Sequence, residues 1–416
     1  MVGDRSPPCG IPPIRDGIAP VVDSFRHRMI VYGGGAAYTD VWQLTLDRDP
    51  RWTMLAPTGT APPGRAYHVA IHDAPRDRMV VFGGTSSGGQ RLNDVWALDL
   101  ASHAWSPITA LGTPPAARAN HAAIYDPLRD RMIVFGGVTT NMLLNDVWSL
   151  SLSTPATWTT IVPGGTPPAP RSYPSTIYDP GGDRMLMFGG TGRNDVWSLN
   201  LSGPPAWTPI VPSGTPPHGR FGQSAHYDPY RARMIVYGGA YPGFPSYQYF
   251  GDTWQLDLTG PPSWTELAPS GPRPPPRLNH GAVYDPVFDR MVVFAGEGEN
   301  TVFYDDTWML VWKTPSLGVA ERSSGAIRLA APVPSPARGA ARIRFELARA
   351  GRATLSVLDL EGRRVATIRD GWATAGAHEC VWSGRDEAGR AASAGVYLVR
   401  LEADGARLAR KLVWLR

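Results

Sequence analysis

Lysine and cysteine are scarce in this chain. Among its 416 residues, lysine occurs only at Lys313 and Lys411, and cysteine only at Cys9 and Cys380. A phosphate-binding loop needs a lysine after its glycines, so none is predicted. Two cysteines in distant segments predict neither a structural disulfide nor a Cys/His zinc site. The net charge of +4 is too small to indicate a nucleic-acid partner.

Long apolar runs are missing as well. The sequence has no apolar run of about 18 residues, so we expect no membrane span. Residues 1–8 lack the apolar core of a signal peptide. Glycine and proline, by contrast, are plentiful, with 46 and 42 copies. This composition favours many short strands and tight turns over long helices.

A short apolar run that ends in glycine recurs six times. At residues 131–137 it reads Arg-Met-Ile-Val-Phe-Gly-Gly, and its copies begin at Arg28, Arg78, Arg131, Arg184, Arg233 and Arg290, in steps of 49–57 residues. In the sixth copy Ala295 replaces the first glycine, while Gly296 is kept. We infer that the second glycine has the stricter backbone requirement.

Each repeat is predicted to form four strands. In the third repeat, residues 121–126 and 131–135 supply the first two. Residues 146–152 supply the third, with Trp148, Leu150 and Leu152 on one face at period 2. Residues 158–161 are short and alternately polar, as is typical of an outer edge strand. Four antiparallel strands repeated at about 50 residues predict an all-β fold with a six-bladed β-propeller.

The propeller segment, residues 1–312, resembles the kelch-repeat family, close to its galactose-oxidase-like branch. The resemblance depends on the doubled glycine after an apolar strand and on the spaced tryptophan pair that follows, such as Trp96 and Trp105. A tryptophan lies 13 residues before the Pro-rich turn's arginine in five repeats, but Val2 takes that place before Arg15. We expect residues 1–5 to supply, or be the stump of, the outer strand of the sixth blade. A start site upstream, with a signal peptide, is the alternative.

The repeat pattern ends at residue 312. Residues 313–324 read as a linker, and residues 325–416 show period-2 alternation with glycine turns, which predicts a small β-sandwich. This segment resembles the FlgD-like immunoglobulin-like domain, through residues 358–365, 375–386 and 389–397. Such domains resemble C-terminal modules of secreted bacterial proteins, some of them type IX-like sorting signals. The resemblance implies a secreted or cell-surface protein whose second domain serves sorting or anchoring and contacts export machinery.

Catalytic chemistry is not indicated by any motif. His68 and His72 are four residues apart on a strand, about 13 Å, which is too far to share a metal. A galactose-oxidase-like copper site would need a cysteine crosslinked to tyrosine, and Cys9 in a terminal loop is the only cysteine of residues 1–312. We therefore predict no catalytic residue, no metal and no cofactor.

A second arginine precedes each apolar run by 13 residues. The set comprises Arg15, Arg65, Arg118, Arg171, Arg220 and Arg277. These arginines could ring one mouth of the channel and attract an anion, or they could bridge groups within the blades. Because every unit carries one, we favour the structural interpretation.

Binding is expected where the repeats differ, in loops on one face. The loop after the fifth glycine pair, residues 240–251, is long and carries five aromatic residues, and the next blade's loop is rich in carboxylates and amides. The candidate ligand-binding residues are Tyr241, Phe244, Tyr247, Tyr249, Phe250, Glu297, Glu299 and Asn300. They suit a sugar, or a peptide with basic groups. The alternative is a loop that packs on itself and caps the ring.

These observations predict an exported bacterial kelch-propeller protein that binds a protein or glycan ligand. The competing hypothesis is a propeller-type carbohydrate-active enzyme, either an oxidase or a sugar epimerase.

Overall fold

The computed structural model describes residues 10–35, 38–243, 246–312, 327–347, 349–359, 364–387, 389–403 and 406–415. The chain separates into two compact units, residues 1–311 and 312–416. The predicted closing strand, residues 1–5, and the predicted linker, residues 313–324, lie outside the described residues. Within the described residues, no helix is long and apolar enough to cross a membrane.

Six sheets of the first unit correspond one to one to the repeats, and in each of them the blade strands pair antiparallel in sequence order, from the innermost strand outward. The innermost strands are Val21–Asp23, Val69–Asp73, Ala122–Asp126, Ser175–Asp179, Ser224–Asp228 and Gly281–Asp285. The second strands are Arg28–Tyr32, Arg78–Ser86, Arg131–Val138, Arg184–Phe188, Arg233–Tyr237 and Arg290–Phe294. These second strands carry the repeated apolar run and are almost wholly buried, as expected for strands covered on both faces.

The outer half of each blade follows the same order. The third strands are Val41–Thr45, Arg91–Asp99, Leu143–Ser151, Val196–Asn200, Thr253–Asp257 and Thr307–Val311. The fourth strands are Trp52–Leu55, Ala104–Pro107, Thr157–Ile161, Trp207–Ile210 and Ser263–Leu267. The sixth sheet has three strands within the described residues.

Short elements decorate the blades. They are the strands Thr58–Gly59 and Arg65–Ala66, the hairpins Ala240–Tyr241 with Gln248–Tyr249 and Glu297–Gly298 with Val302–Phe303, and the 3₁₀ turns Ala74–Arg76 and Glu299–Thr301. Both hairpins lie in the two loops that differ most from the other repeats. They therefore add structure at one face of the ring without altering the blades.

The six sheets form a closed ring. Each innermost strand contacts the innermost strand of the next blade, and the strand of the sixth contacts that of the first. At this last junction Arg290 Nη2 donates to the Leu46 carbonyl at 2.7 Å. The predicted six-bladed β-propeller is confirmed.

The repeated tryptophans join neighbouring blades. Trp158 of the third blade packs on Phe82, which lies on the second strand of the second blade, with ring centroids 4.9 Å apart. The same contact recurs between the first and sixth blades, where Trp52 and Phe294 lie 4.5 Å apart. Each aromatic pair buries apolar surface between two neighbouring sheets. This contact explains why the tryptophan recurs at the spacing of the repeats.

The glycine pair ends each second strand in left-handed backbone. Ala295 occupies the first position with a φ of 63°, whereas Gly296 at the second has a φ of 103°. A side chain on Gly296 would place its Cβ 2.8 Å from that of His280. Alanine can adopt the first conformation at a cost, but the second excludes it. The stricter requirement predicted for the second glycine is confirmed.

The second unit is a sandwich of two antiparallel sheets. One sheet orders Arg328–Leu329, Ala341–Leu347 and Gly376–Trp382, and the other orders Arg364–Ala373, Gly351–Leu358, Gly395–Ala403 and Ala406–Trp414. Alternate residues of both sheets share one core, including Phe345, Leu355 and Trp382. The predicted small β-sandwich is confirmed.

Candidate functional site

The ring has two distinct faces. At the hairpin face, tight turns join the innermost and second strands. At the loop face, the glycine pairs end the second strands and the variable loops begin. Sequence differences between the blades decide which face has the better candidate site.

Residues at the hairpin face largely repeat from blade to blade. The second-strand arginine donates to the aspartate that ends the innermost strand, as Arg131 Nε does to Asp126 Oδ2 at 2.9 Å. Arg129 then pairs with Asp183 of the next blade at 2.6 Å. A channel cavity of about 500 Å³ near this face is lined by similar side chains from several blades, such as Tyr125. The hydroxyl of Tyr125 donates to Asp130 in the adjacent turn, so the polar group of this side chain stabilises the hairpin.

At the loop face, the six predicted arginines lie inside the blades. Arg118 is fully buried, and its Nη1 and Nη2 donate to Asp146 at 2.7 and 2.8 Å. Nη1 also donates to the Gly136 carbonyl at 3.0 Å, and the Trp148 indole donates to the same carboxylate at 2.7 Å. Burial alone would raise the pKa of Asp146, but Arg118 and Trp148 outweigh it and hold the pKa below its usual range.

The same arrangement occurs in every blade. The pairs are Arg15–Asp40, Arg65–Asp94, Arg118–Asp146, Arg171–Asp195, Arg220–Asp252 and Arg277–Asp306. Every guanidinium is at most 1% exposed. These arginines connect the glycine pair with the Asp-x-Trp motif of the third strand, and their charges are already paired.

The residues that follow these arginines form the mouth of the channel. The residue two places after each arginine has a positive φ, between 55° and 67°. At five of the six positions its amide donates to the equivalent residue of a neighbouring blade, as Tyr67 does to Gly17 at 2.7 Å and Tyr173 to Asn120 at 2.7 Å. We call this set the mouth ring: Gly17, Tyr67, Asn120, Tyr173, Gly222 and Asn279. The backbone is alike around the ring, whereas the side chains differ.

Aromatic side chains meet along one side of this mouth. The ring centroids of Tyr67 and Tyr173 in the mouth ring lie 5.9 Å apart, and those of Tyr173 and Phe221 lie 5.7 Å apart. Phe221 contacts Tyr247 at 5.2 Å, and Tyr247 contacts Tyr249 at 6.2 Å. We call these five residues the aromatic arc. Tyr247 is 47% exposed, so the arc presents ring surface to solvent.

Two carboxylates accompany the arc. Tyr67 donates its hydroxyl to Asp16 Oδ2 at 2.6 Å, and Tyr249 donates to Glu297 Oε1 at 3.2 Å. Asp16 is 7% exposed, whereas Glu297 is half-buried. Burial raises the pKa of Asp16, and the Tyr67 hydroxyl offsets part of that rise. Burial also raises the pKa of Glu297, the Tyr249 hydroxyl lowers it, and the charge of Asp16 raises it further.

A cavity of about 150 Å³ lies at the mouth ring. Its walls include Tyr67, Asn120, Tyr173, Gln223 and Asn279. Among the described residues, Asn120 Oδ1 and Gln223 Oε1 are buried without a hydrogen-bond partner. The cavity therefore combines room for a small group with unused acceptors.

Histidines line the cavity wall between blades. His68 and His121 are buried, and neither ring nitrogen has a hydrogen-bond partner within the described part of the chain. Burial, and then the charge of Arg65, lower the pKa of His68 to about 3. His68 packs on Tyr32 and His121 on Phe82, at 5.6 and 5.1 Å. These neutral imidazoles contribute to packing between blades.

The structure divides the candidate residues predicted from the loops. Tyr247, Tyr249 and Glu297 lie together at the mouth. Tyr241 instead packs on His218 at 4.5 Å, and Phe250 covers the guanidinium of Arg220 at 4.4 Å. These two aromatic residues therefore lie away from the arc.

The remaining candidate residues from the two loops give little support for a binding site. Glu299 and Asn300 are exposed on the 3₁₀ turn Glu299–Thr301, and the charge of Glu299 contributes to raising the pKa of Tyr249. Phe244 lies outside the described residues. The candidate site thus includes fewer of the loop residues than the sequence pattern predicted.

Four mouth residues were missed by sequence reasoning: Asp16, Tyr67, Tyr173 and Phe221. They lie one or two places after the repeated arginine, between the Pro-rich turn and the first predicted strand. The signal that could have found them is the variation among the six repeats at these two places. A repeat-by-repeat comparison there would have separated them from the conserved scaffold.

Taken together, the six blade sheets define a β-propeller with a site of unlike residues at one mouth. Residues 5–190 and 182–341 match the KLHDC2/KLHL20/DRC7 Kelch-repeats domain, and residues 333–407 match the FlgD Ig-like domain. The chain belongs to the kelch-repeat family, and a FlgD Ig-like domain follows its propeller.

Curated relatives share parts of the propeller. Adagio protein 3 of Arabidopsis thaliana is 34% identical over 172 residues, which are 39% of this chain and 27% of that protein. Dynein regulatory complex subunit 7 of Chlamydomonas reinhardtii is 34% identical over 114 residues, 26% of this chain and 10% of that protein. Host cell factor 2 of Homo sapiens is 29% identical over 188 residues, 40% and 23% of the two chains. The chain thus spans about a quarter or less of these relatives.

Two solved structures share the fold. YjhT has a TM-score of 0.59 at 18% identity, over 74% of this chain and 97% of YjhT. A fungal alcohol oxidase of the AA5 family, in complex with copper, has a TM-score of 0.52 at 16% identity, over 96% and 85% of the two chains. At these identities the likeness concerns the fold alone.

Proposed function

We propose that the propeller is a protein-binding module, and that its loop-face mouth receives a segment of the partner. The kelch repeats support a protein partner. The observation that carries the proposal is the aromatic arc, in which five rings from four different repeat positions meet beside two carboxylates. Aromatic side chains of this kind supply large contact areas at little entropic cost and dominate many binding interfaces.

Variation among the blades supports the mouth as the binding surface. A residue that every blade carries, such as Arg118, is explained by packing within the blade. Tyr67, Phe221 and Tyr247 have no equivalent aromatic residue in most blades, so the ring itself does not require them. Partly exposed aromatic groups without a packing requirement are typical of a recognition site.

A glycan is the competing ligand, because tyrosine faces beside carboxylates also suit sugar rings. The enzymatic alternative, an oxidase or a sugar epimerase, has support only from fold-level likeness to the copper-bound oxidase. We favour protein binding because the family match concerns kelch repeats.

We further propose that the protein is exported by a bacterium to the cell surface or beyond, and that the FlgD Ig-like domain contacts the export or anchoring machinery. The match over residues 333–407 supports this role. Protease treatment of intact source cells tests it. Digestion of the full chain without cell lysis is expected, and protection until lysis would contradict export.

Parallel peptide and glycan arrays test the binding proposal. The full chain and a Tyr247→Ala/Tyr249→Ala variant are compared with a control, Tyr230→Ala. Tyr230 is 52% exposed and lies on the hairpin face. We expect peptide hits whose signal falls about tenfold in the double variant and persists in the control. Peptide hits whose signal is unchanged in the double variant would exclude the aromatic arc as the binding site. Hits on the glycan array alone would favour a glycan ligand.

A further inference from the structure

The structure points to the chemical group that the mouth accepts. Building on the proposed function, we infer that it binds a cationic side chain, arginine or lysine, of the partner. The charge would lie between the carboxylates of Asp16 and Glu297, beside the rings of Tyr67 and Tyr249. Three independent features of the described residues lead to this assignment.

The first feature is an imbalance of charge. The six aspartates that end the innermost strands are buried, and each pairs with an arginine, as Asp126 does with Arg131 at 2.9 Å; the buried Asp289 pairs with Arg231 at 2.6 Å. Asp16 is also buried, at 7% exposure, but among the described residues its hydrogen-bond donors are all neutral: the Tyr67 hydroxyl, the Asn279 side chain and its own backbone amide. A buried carboxylate without a cation is costly unless a ligand supplies the missing charge.

The second feature is an excess of acceptors. Two carboxylates lie at the mouth, and the donors that contact them are neutral: a tyrosine hydroxyl on Glu297, and a tyrosine hydroxyl, the Asn279 side chain and its own backbone amide on Asp16. Gln223 is 8% exposed and lines the cavity, and its Oε1 has no partner among the described residues. Asn120 Oδ1 is likewise buried without a hydrogen-bond partner among the described residues. Guanidinium and ammonium groups carry only donors, so they complement such a surface better than a hydroxyl-rich ligand.

The third feature is shape and aromatic contact. The cavity at the mouth ring has a volume of about 150 Å³, which is large enough for a guanidinium group. Tyr67 and Asn279 line this cavity, and both donate to Asp16, so the carboxylate adjoins it through these two side chains. The protein already places guanidinium groups over aromatic rings, as with Arg15 over Tyr38 at 4.6 Å and Arg277 over Tyr304 at 4.3 Å. Cation–π contact with the arc would favour a charged group over its neutral isostere.

Recognition should depend on pH. Asp16 and Glu297 bind the cation only when ionised, so affinity is present above their pKa values and is lost as the pH falls through them. Both carboxyls have raised pKa values, so the loss begins at a higher pH than for an exposed carboxylate. The other groups that face them are the hydroxyls of Tyr67 and Tyr249, which have raised pKa values, and Glu299 nearby. A cationic group also lies nearby, because burial raises the pKa of Tyr173 and the charge of Arg91 offsets part of that rise.

Calorimetric titration with acetyl-arginine amide and its neutral isostere, acetyl-citrulline amide, tests the inference on the full chain. We expect the arginine probe to bind about tenfold more tightly at about pH 7, and the preference to decrease as the pH is lowered toward about 4. Asp16→Asn and Glu297→Gln should each weaken arginine binding about tenfold. Asp49→Asn is the matched control, because it makes the same change of charge at a side chain that is 77% exposed. Circular dichroism checks that each variant is folded.

Equal affinity for arginine and citrulline would overturn the inference, as would unchanged binding in Asp16→Asn. These results are separable from failure of the proposed function. If array hits depend on Tyr247 and Tyr249 while the two probes bind alike, protein binding stands and cation recognition is wrong. If no peptide hit depends on the arc, the proposed function fails first.

Discussion

Two aspartates at the loop face should respond in opposite ways to the same substitution. Asp94 accepts hydrogen bonds from both Nη atoms of Arg65 at 2.7 Å and from the Trp96 indole at 2.7 Å. Asp94→Asn would leave the fully buried guanidinium of Arg65 without its counter-charge. Asp16→Asn removes a carboxylate that has no cationic partner among the described residues, and the amide oxygen can still accept from Tyr67.

The magnitudes follow from burial. Breaking a fully buried ion pair costs about 3–5 kcal/mol, and the 36% exposure of the Asp94 side chain lets water offset part of that cost. We therefore expect Asp94→Asn to lower the free energy of unfolding by about 2–3 kcal/mol. Asp16→Asn should leave it unchanged or raise it by up to about 1 kcal/mol, because it removes a buried charge that has no cationic partner among the described residues.

The pH dependence gives each effect a separate signature. The pKa of Asp94 is lowered, because Arg65 outweighs the effect of burial, so its contribution to stability is present above the usual 3.8 and is lost as the pH falls through the lowered value. The pKa of Asp16 is raised by burial, so its ionised form opposes folding, and the advantage of Asp16→Asn should shrink as the pH falls toward 3.8.

Equilibrium urea unfolding of the full chain, followed by tryptophan fluorescence at several pH values, measures these differences. Comparable destabilisation by both substitutions would refute the reasoning, because it would mean that Asp16 is a structural group like Asp94. An unchanged midpoint for Asp94→Asn would show that the repeated arginine pairs contribute little to the propeller.

Four further substitutions test the scaffold. Gly296→Ala should lower the unfolding free energy by at least about 1 kcal/mol, since its φ of 103° excludes a side chain, whereas Ala295→Gly, at a φ of 63°, should not; urea midpoints decide. Trp158→Ala should cost about 3–5 kcal/mol in the same assay because it removes the contact with Phe82 and leaves a cavity between blades. Because the pKa of His68 is lowered to about 3, its neutral ring favours folding above its usual 6.5, and this is lost as the pH falls below that value; His68→Phe should flatten the loss, measured by thermal melts from about pH 7 to about pH 4.

The sequence predicted the scaffold well because the scaffold repeats. The arginine of each Pro-rich turn and the Asp-x-Trp motif recur at similar spacing, and the structure joins them in one hydrogen-bonded unit, as in Arg118, Asp146 and Trp148. Inward and outward periodicity likewise defined the strands of the second unit. The pattern could state that these residues belong to every blade, although it could not state that they touch.

The candidate site was only partly predictable, because its members come from distant blades. Loop length singled out Tyr247 and Tyr249, but nothing local relates them to Tyr173 or to Tyr67. Phe250 was predicted to bind a ligand because it lies in the long loop, but it packs on a repeated arginine instead. Its place two residues before Asp252 corresponds to Tyr38 before Asp40, and both rings cover a repeated arginine.

Recognition of a cation by the mouth is tested most directly by an unbiased selection. Peptides displayed at random are selected on the full chain and, in parallel, on a variant with Asp16→Asn and Glu297→Gln. We predict that peptides selected on the unmodified protein are enriched in arginine or lysine at one position, and that this enrichment disappears with the variant. The same peptides from both selections, or peptides enriched in acidic residues, would contradict this prediction.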